Sequence, residues 1–291
     1  MTTAFGFDTK VDEVASAFKD AIRGKTVLIT GCSPNGLGSE SARAIAAHDP
    51  QLLILAGRSR AKLEQTEAAL KQQSPRASVR LLELDLASLA SVRQAADVVN
   101  QYSEHIDVLI NNAGIMATPF SKTVDGLESQ FGTNHIGHFL FTNLILPKIL
   151  AAGEGARIVN VSSLGHLLGP VRYDDSNFEK GDYNRWAAYG QSKTANILFS
   201  VALADRLKAR GLLSFSLDPG ASAETGISRE IELDELKELG EQNLIDPPHN
   251  NGDYLCDCQI TKVTAPWAIG RDNADKLWAL SESIVREQFR Y

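Results

Sequence analysis

The sequence predicts an α/β fold built on a doubly wound, mostly parallel sheet with helices on both faces. Short runs rich in Val, Ile and Leu alternate with longer segments in which small or apolar residues recur every three or four positions. Strand, helix, strand, repeated, is the pattern of a parallel sheet covered on both sides. The strand runs are also nearly continuous in apolar character, which suits burial of both faces better than strict alternation does. No internal repeat, low-complexity tract or linker interrupts the pattern, so a single domain over residues 1–291 is expected.

Residues 1–24 form an N-terminal extension ahead of the first strand. Asp8 or Thr9 is placed to cap a short helix there, with Val11, Val14, Phe18 and Ile22 on the side packed against the domain. The strand runs are 26–30, 52–56, 79–84, 108–112, 157–161 and 212–217. Helical spacing occupies 36–48, 60–73, 87–103, 127–152 and 185–210. Residues 221–253 lack the alternation and contain Pro247-Pro248 and Asn250-Asn251-Gly252. A last helix, about 273–288, opens after Asp272 and presents Leu277, Leu280, Ile284 and Val285 to a core.

Composition narrows the function classes. Acidic residues number 36 against 29 basic ones, a net charge of −7. That balance argues against a nucleic-acid surface and against electrostatic docking on anionic lipid. With 43% hydrophobic and 22% charged residues the chain is neither disordered nor fibrous. Cys32, Cys256 and Cys258 cannot make a disulfide framework and suit a reducing compartment. Cys256-x-Cys258 lacks a second pair of soft ligands, so no metal site is expected and the two cysteines read as ordinary strand residues. The N-terminus lacks the basic-then-apolar pattern of a secretory signal. The longest apolar stretch, 139–152, falls short of a membrane span and is interrupted by Asn143, Pro147 and Lys148. A soluble, cytoplasmic protein is expected.

The first strand runs directly into Thr30-Gly31-Cys32-Ser33-Pro34-Asn35-Gly36-Leu37-Gly38, where a helix begins. Such a loop turns backbone N–H groups at a helix N-terminus toward a pyrophosphate. Gly31 permits the tight turn, and Gly36 and Gly38 remove side chains where phosphate and strand must approach. The second strand ends Ala56-Gly57-Arg58-Ser59-Arg60, with no acid before Glu64. A carboxylate at this place would bond a ribose 2′-OH; a guanidinium instead pairs with a 2′-phosphate. Arg58 therefore points to NADP(H). Asp85-Leu86, after the third strand, can flank the adenine, or Asp85 can be a helix cap.

Tyr189-Gly190-Gln191-Ser192-Lys193 places a phenol and an amine four apart on one helical face. A free phenol, with a pKa of about 10, is a poor acid–base group near neutrality, and a nearby ammonium favours its ionised form. The fourth strand ends Asn111-Asn112-Ala113-Gly114 and the fifth Asn160-Val161-Ser162-Ser163. Ligands in such sheets sit beyond the carboxyl ends of strands, so these residues face the same cleft.

Taken together, TGCSPNGLG at 30–38, NNAG at 111–114, Asn134 in GTNHIGHF, VSS at 161–163, YGQSK at 189–193 and Pro219-Gly220 resemble the short-chain dehydrogenase/reductase family, in the family's order and over about residues 25–289. The phrases GTNHIGHFLFTNLILP and AYGQSKTANILF, and the 26-residue gap from Ser163 to Tyr189, resemble its branch of retinol dehydrogenase-like, WW-domain oxidoreductase-like and protochlorophyllide reductase-like proteins. The resemblance implies a Rossmann fold with a substrate lid over 221–253. It implies that Tyr189 is the general acid or base, that Lys193 lowers its pKa and holds the nicotinamide ribose, that Ser163 bonds the substrate oxygen, and that Asn134 supports a proton-relay water. Cofactor contacts are implied for Gly31, Ser33, Asn35, Gly36, Leu37 and Gly38, and for Arg58, Asp85 and Leu86. Asn112, Ala113 and Gly114 extend the set, with Tyr189, Lys193, Pro219, Gly220 and Thr225.

The sequence departs from that pattern in three places. The glycine loop carries one extra residue, assigned to Asn35. Thr225 stands five residues past Gly220 rather than four. Asp218 precedes the Pro-Gly pair where Asn or His is commoner. His166 reads as satisfied by local backbone, and His135 with His138 as packing. Phe178, Tyr183 and Trp186 are either a pocket wall or the core of the long insert.

The expected function is NADP(H)-dependent interconversion of a carbonyl and an alcohol. The alternatives are C=C reduction on the same site, or an NADP-binding regulatory protein with little catalysis. The resemblance also suggests a homo-oligomer through 127–152 and 185–210. Residues 221–253 hold nine acids and two bases, a balance of −7 equal to that of the whole chain. A lid so charged favours a neutral or cationic small-molecule substrate.

Overall fold

The structure, a computed structural model, describes residues 5–6, 8–220, 251–256, 259–260 and 264–291. Residues 221–250 of the expected lid, with Thr225 and every acid counted there except Asp253, lie outside the described residues, as does Cys258.

The six expected strands form: β1 (Thr26–Thr30), β2 (Leu52–Gly57), β3 (Val79–Glu83), β4 (Val108–Asn111), β5 (Arg157–Val161) and β6 (Leu213–Leu217). Two more follow, β7 (Tyr254–Cys256) and β8 (Gln259–Ile260), too short to show any alternation in sequence. The order is β3-β2-β1-β4-β5-β6-β7-β8; every neighbouring pair is parallel except β7 with β8. Cys256 lies on β7 as an ordinary strand residue. The strand order reverses between β1 and β4, so a cleft opens past their C-terminal ends, where Gly31 and Asn112 stand.

The helices are α1 (Val11–Ala17), α2 (Lys19–Ile22), α3 (Leu37–Ala46), α4 (Arg60–Gln73), α5 (Leu89–Asn100), α6 (Ser129–Phe131), α7 (Gly137–Leu150), α8 (Arg185–Leu207) and α9 (Arg271–Val285). One apolar core lies among α5, α7, α8 and α9 and the sheet; a second fills the α3–α4 side with Ile29, Leu53, Leu55 and Leu63. Both faces of the central strands are therefore buried, which is why they read as continuous apolar runs.

Three expectations need correction. The N-terminal helix starts after Lys10, not Asp8 or Thr9, and Glu13 turns back to accept from the Lys10 N–H. It breaks at Phe18, whose side chain is 53% exposed, and only Ala15 of α1 is buried. An Arg43–Asp12 ion pair at 2.8 Å links it to α3, and the expected apolar stripe is largely exposed. The segment 127–152 is interrupted by a π-helical turn over Gly132–Ile136 between α6 and α7. Asp85 does not cap α5; Ser88 does, accepting from the Ser91 N–H, while Asp85 Oδ1 takes the Ala87 N–H. Helix α9 and the residues after it cover α7 and α8. Trp278 packs edge-on to Phe139 with ring centroids 5.0 Å apart, Phe289 meets Phe139, and the Tyr291 hydroxyl donates to Asn143 Oδ1.

Candidate active site

The glycine loop is shaped by contacts on its inner side. Gly31 has φ +77°, and a Cβ there would stand 2.8 Å from Ala113 Cα. A Cβ on Gly38 would stand 2.7 Å from the Gly31 carbonyl oxygen, so this glycine lets α3 close onto the loop. The extra residue, Asn35, takes a left-handed conformation with φ +61°, which asparagine tolerates better than most side chains. Ser39 Oγ accepts from the Gly36 N–H, and no side chain caps the first turn of α3. The N–H groups of that turn remain available to an anion.

The loop is tied to β4 through Thr30 and Asn112. Thr30 Oγ1 accepts from the Asn112 and Ala113 N–H groups, and Asn112 Nδ2 donates to the Thr30 carbonyl at 2.7 Å. His138 Nδ1 lies 2.9 Å from the Asn134 carbonyl and must donate to it. Its Nε2 therefore accepts the Thr30 hydroxyl, 2.9 Å away. The imidazole is neutral, with burial holding its pKa down to about 4. Sequence reasoning took His138 as packing and missed this link between the β1 end and the helix carrying Asn134.

Asn134 sits on the π-helical turn, fully buried. Its Oδ1 accepts from the Ile115 N–H, and its Nδ2 donates to the Ile115 carbonyl and to Ser192 Oγ. It joins the stretch after β4 to α8. A Cβ on Gly114 would stand 3.3 Å from Asn134 Oδ1 and 3.6 Å from Lys193 Nζ, so Gly114 separates the two.

Ser162 and Ser163 part company. Ser162 Oγ donates to the Lys193 carbonyl, a fixed contact beneath α8. Ser163 is extended, caps a short 3₁₀ helix (Leu164–Leu168), and its Oγ accepts from the Gly165 N–H. His166 Nδ1 donates to the Ser163 carbonyl while its Nε2 accepts from the Ala265 N–H, so this histidine is satisfied by backbone as expected. Burial holds its pKa down to about 4.

Tyr189 and Lys193 lie on α8, 4% and 2% exposed. Lys193 Nζ stands 5.7 Å from the Tyr189 ring centroid and donates to the Val161 carbonyl at 3.0 Å. Burial drives the Lys193 amine down to about 8, opposed by the Asp218 charge. Burial pushes the Tyr189 phenol up to about 12; Ser163 pulls the other way and Asp218 adds to the rise. Desolvation is the largest of these causes, so the phenol stands above its ordinary value. Gly165, unnoticed in the sequence, lets the ring lie against the 3₁₀ turn.

Arg58 is exposed at the end of β2 and has no ion pair among the described residues, whereas Arg60, two residues on, pairs with Glu64. Ser59, not Arg58, caps α4. Ser33 is exposed on the glycine loop, Leu37 is half-buried at the start of α3, and Leu86 is buried after β3. Pro219 and Gly220 are exposed beyond β6, with Gly220 at φ +77°. Phe178 and Tyr183 pack on each other, centroids 5.4 Å apart, and Tyr183 shares a hydrogen bond with the buried Glu128. They form the insert's own core.

The described residues of this cleft bring Ser163, Tyr189, Lys193 and Asn134 together beside an uncapped helix N-terminus. Residues 25–236 match the short chain dehydrogenase family, and the chain belongs to that family. Its members are oxidoreductases that use nicotinamide cofactors. Within the family it is a short-chain dehydrogenase/reductase of the retinol dehydrogenase-like branch. Retinol dehydrogenase 13 of Homo sapiens is 42% identical over 204 residues, covering 70% of this chain and 61% of that protein. The match thus spans about three fifths of that relative's length. Short-chain dehydrogenase/reductase prx1 of Penicillium roqueforti is 36% identical over 300 residues, covering 91% of this chain and 86% of the other. A crystal structure of an uncharacterized protein from Mycobacterium Paratuberculosis superposes with a TM-score of 0.71 at 35% identity, covering 93% and 96% of the two chains. No helix among the described residues is long and apolar enough to cross a membrane.

Proposed function

We propose that this chain is an NADP(H)-dependent oxidoreductase that interconverts a carbonyl and an alcohol, with Tyr189 as the proton donor and acceptor. The observation that carries the reading is the placement of the buried Tyr189 phenol beside Ser163 and Lys193 at the open end of the sheet. The uncapped first turn of α3 would face the pyrophosphate of the cofactor, and Arg58 its 2′-phosphate. When bound, the nicotinamide supplies or takes the hydride.

Ser163 Oγ donates to the substrate oxygen and holds it next to the phenol. Tyr189 then gives its proton to that oxygen as charge develops on it. A phenol held up to about 12 stays protonated at neutral pH, which suits the acid role in carbonyl reduction. Lys193, at about 8, is mostly an ammonium near neutrality and stabilises the phenolate left behind. Its Nζ–H to the Val161 carbonyl fixes where that charge sits. Asn134, tied to Ile115 and Ser192, keeps α7 and α8 in register around it. The relatives named retinol dehydrogenases put apolar primary alcohols and their aldehydes first among candidate substrates.

The test is a turnover screen of neutral, cationic and anionic carbonyls with NADPH and with NADH, with product analysis. The reading expects alcohol products and a preference for NADPH. Saturation of a C=C bond instead would select the rival reaction. Tight NADPH binding with no turnover across the panel would select a nucleotide-binding regulator.

A further inference from the structure

Asp218 is the departure from the family pattern that the proposed reaction leaves unused. It is the first residue beyond β6, and its backbone is pinned between strand ends. The Ser162 N–H donates to the Leu217 carbonyl at 2.7 Å, and the Asp218 N–H donates to the Leu255 carbonyl at 2.8 Å. Its side chain reaches across to the 3₁₀ turn: Oδ1 accepts the Leu164 N–H at 3.3 Å. The other oxygen, Oδ2, lies 3.7 Å from Cys256 Sγ on β7.

We propose that Asp218 is a positioning residue for Ser163, its carboxylate holding the backbone just past Ser163 so that the Ser163 hydroxyl stands beside Tyr189. This rests on the reactive roles given above to Ser163 and Tyr189. The three N–H groups after Ser163 each have an acceptor. Gly165 uses Ser163 Oγ and His166 uses the Ser163 carbonyl, both within the turn itself. Only the Leu164 N–H is met from another element, and Asp218 supplies that acceptor. Without it, none of these three N–H groups is met from outside the turn. A carboxylate fits this place because the backbone N–H and the thiol both present donors, and a carboxylate only accepts. Its charge acts on Tyr189, Lys193 and Tyr254 alike, favouring the protonated form of each.

Two readouts test this. The first is amide hydrogen exchange over 163–168 in the full chain without ligands. Asp218→Ala is expected to speed exchange there about fivefold, the worth of one net hydrogen bond, and to leave β1–β4 unchanged. Asp218→Asn, which keeps an acceptor oxygen, is expected to exchange like the native protein. The second is a double-mutant cycle with NADPH and an accepted carbonyl. Asp218→Ala should lower kcat about tenfold with KM for NADPH held, and should add almost nothing to Ser163→Ala. Unchanged exchange in Asp218→Ala, or Asp218→Asn exchanging as fast as Asp218→Ala, would overturn the proposal. So would losses that add in full on the Ser163→Ala background. If the native protein turns over no carbonyl, the proposed reaction fails, while the exchange measurement still decides the role of Asp218.

Discussion

Gly165 and Tyr189 touch so closely that a Cβ at position 165 would stand 2.5 Å from Tyr189 Cε1 and 2.8 Å from Cδ1. Both are rigid ring atoms on the edge leading to the hydroxyl. The glycine is therefore part of what aims the phenol.

Gly165→Ala is expected to rotate or displace the Tyr189 ring and lower kcat about a hundredfold, as small misplacements of reacting groups do. NADPH affinity, which the proposed function assigns to the glycine loop and Arg58, should hold. Steady-state kinetics together with a calorimetric NADPH titration checks both; native kcat in the variant would show that the ring accommodates the methyl group without consequence.

Lys193 links stability to pH. Burial brings its amine to about 8, below its ordinary value. Below about pH 8 both folded and unfolded chains hold the proton, and the cost of burying the charge is fully present. As pH rises from there toward about 10.4, the unfolded chain still binds a proton the folded one has lost, and the deficit is relieved. Lys193→Met is expected to stabilise the ligand-free protein on the order of 3 kcal/mol at pH 7, with the gain shrinking toward pH 10. The Val161 carbonyl keeps a donor in the variant, Asn196 Nδ2. Urea unfolding at three pH values reads this, and a gain independent of pH would exclude the buried charge as its cause.

With the Arg58 guanidinium assigned, as proposed, to the 2′-phosphate alone, Arg58→Ala should weaken NADPH by about tenfold to a hundredfold and leave NADH unchanged. Equal affinity of the native protein for the two cofactors would defeat the assignment.

Trp278 packs against Phe139 and Phe199 and lies under the Arg206 guanidinium at 4.4 Å. Trp278→Ala should cost about 3–5 kcal/mol of unfolding free energy. It should also uncover α7 and α8, and sedimentation velocity would register any association of the exposed faces. A loss within experimental error would mean that α9 is only loosely docked.

Much of this was legible in the sequence because it is local. The six longer strands announce themselves through apolar runs, the phosphate loop through its glycines, and the Tyr189–Lys193 pair through helical spacing. What the sequence concealed depends on contacts between distant segments. The π-helical turn carries Asn134, which bonds Ile115, and leads into Gly137, where a Cβ would strike the Leu86 carbonyl. Gly165 matters only because Tyr189 folds back onto it. Burial was not legible either: desolvation raises the Tyr189 phenol, a contribution that its helical spacing to Lys193 does not announce. At the N-terminus the apolar spacing of Val11, Val14 and Phe18 suggested a packed stripe, yet Val11 and Phe18 are exposed and only Ala15 of α1 is buried.

Tyr189 is proposed to move the proton, and Tyr189→Phe tests this with the ring and its packing retained. With NADPH and an accepted carbonyl, the variant is expected to lose at least about a hundredfold in kcat while binding NADPH as the native protein does. Undiminished turnover by Tyr189→Phe would contradict the account.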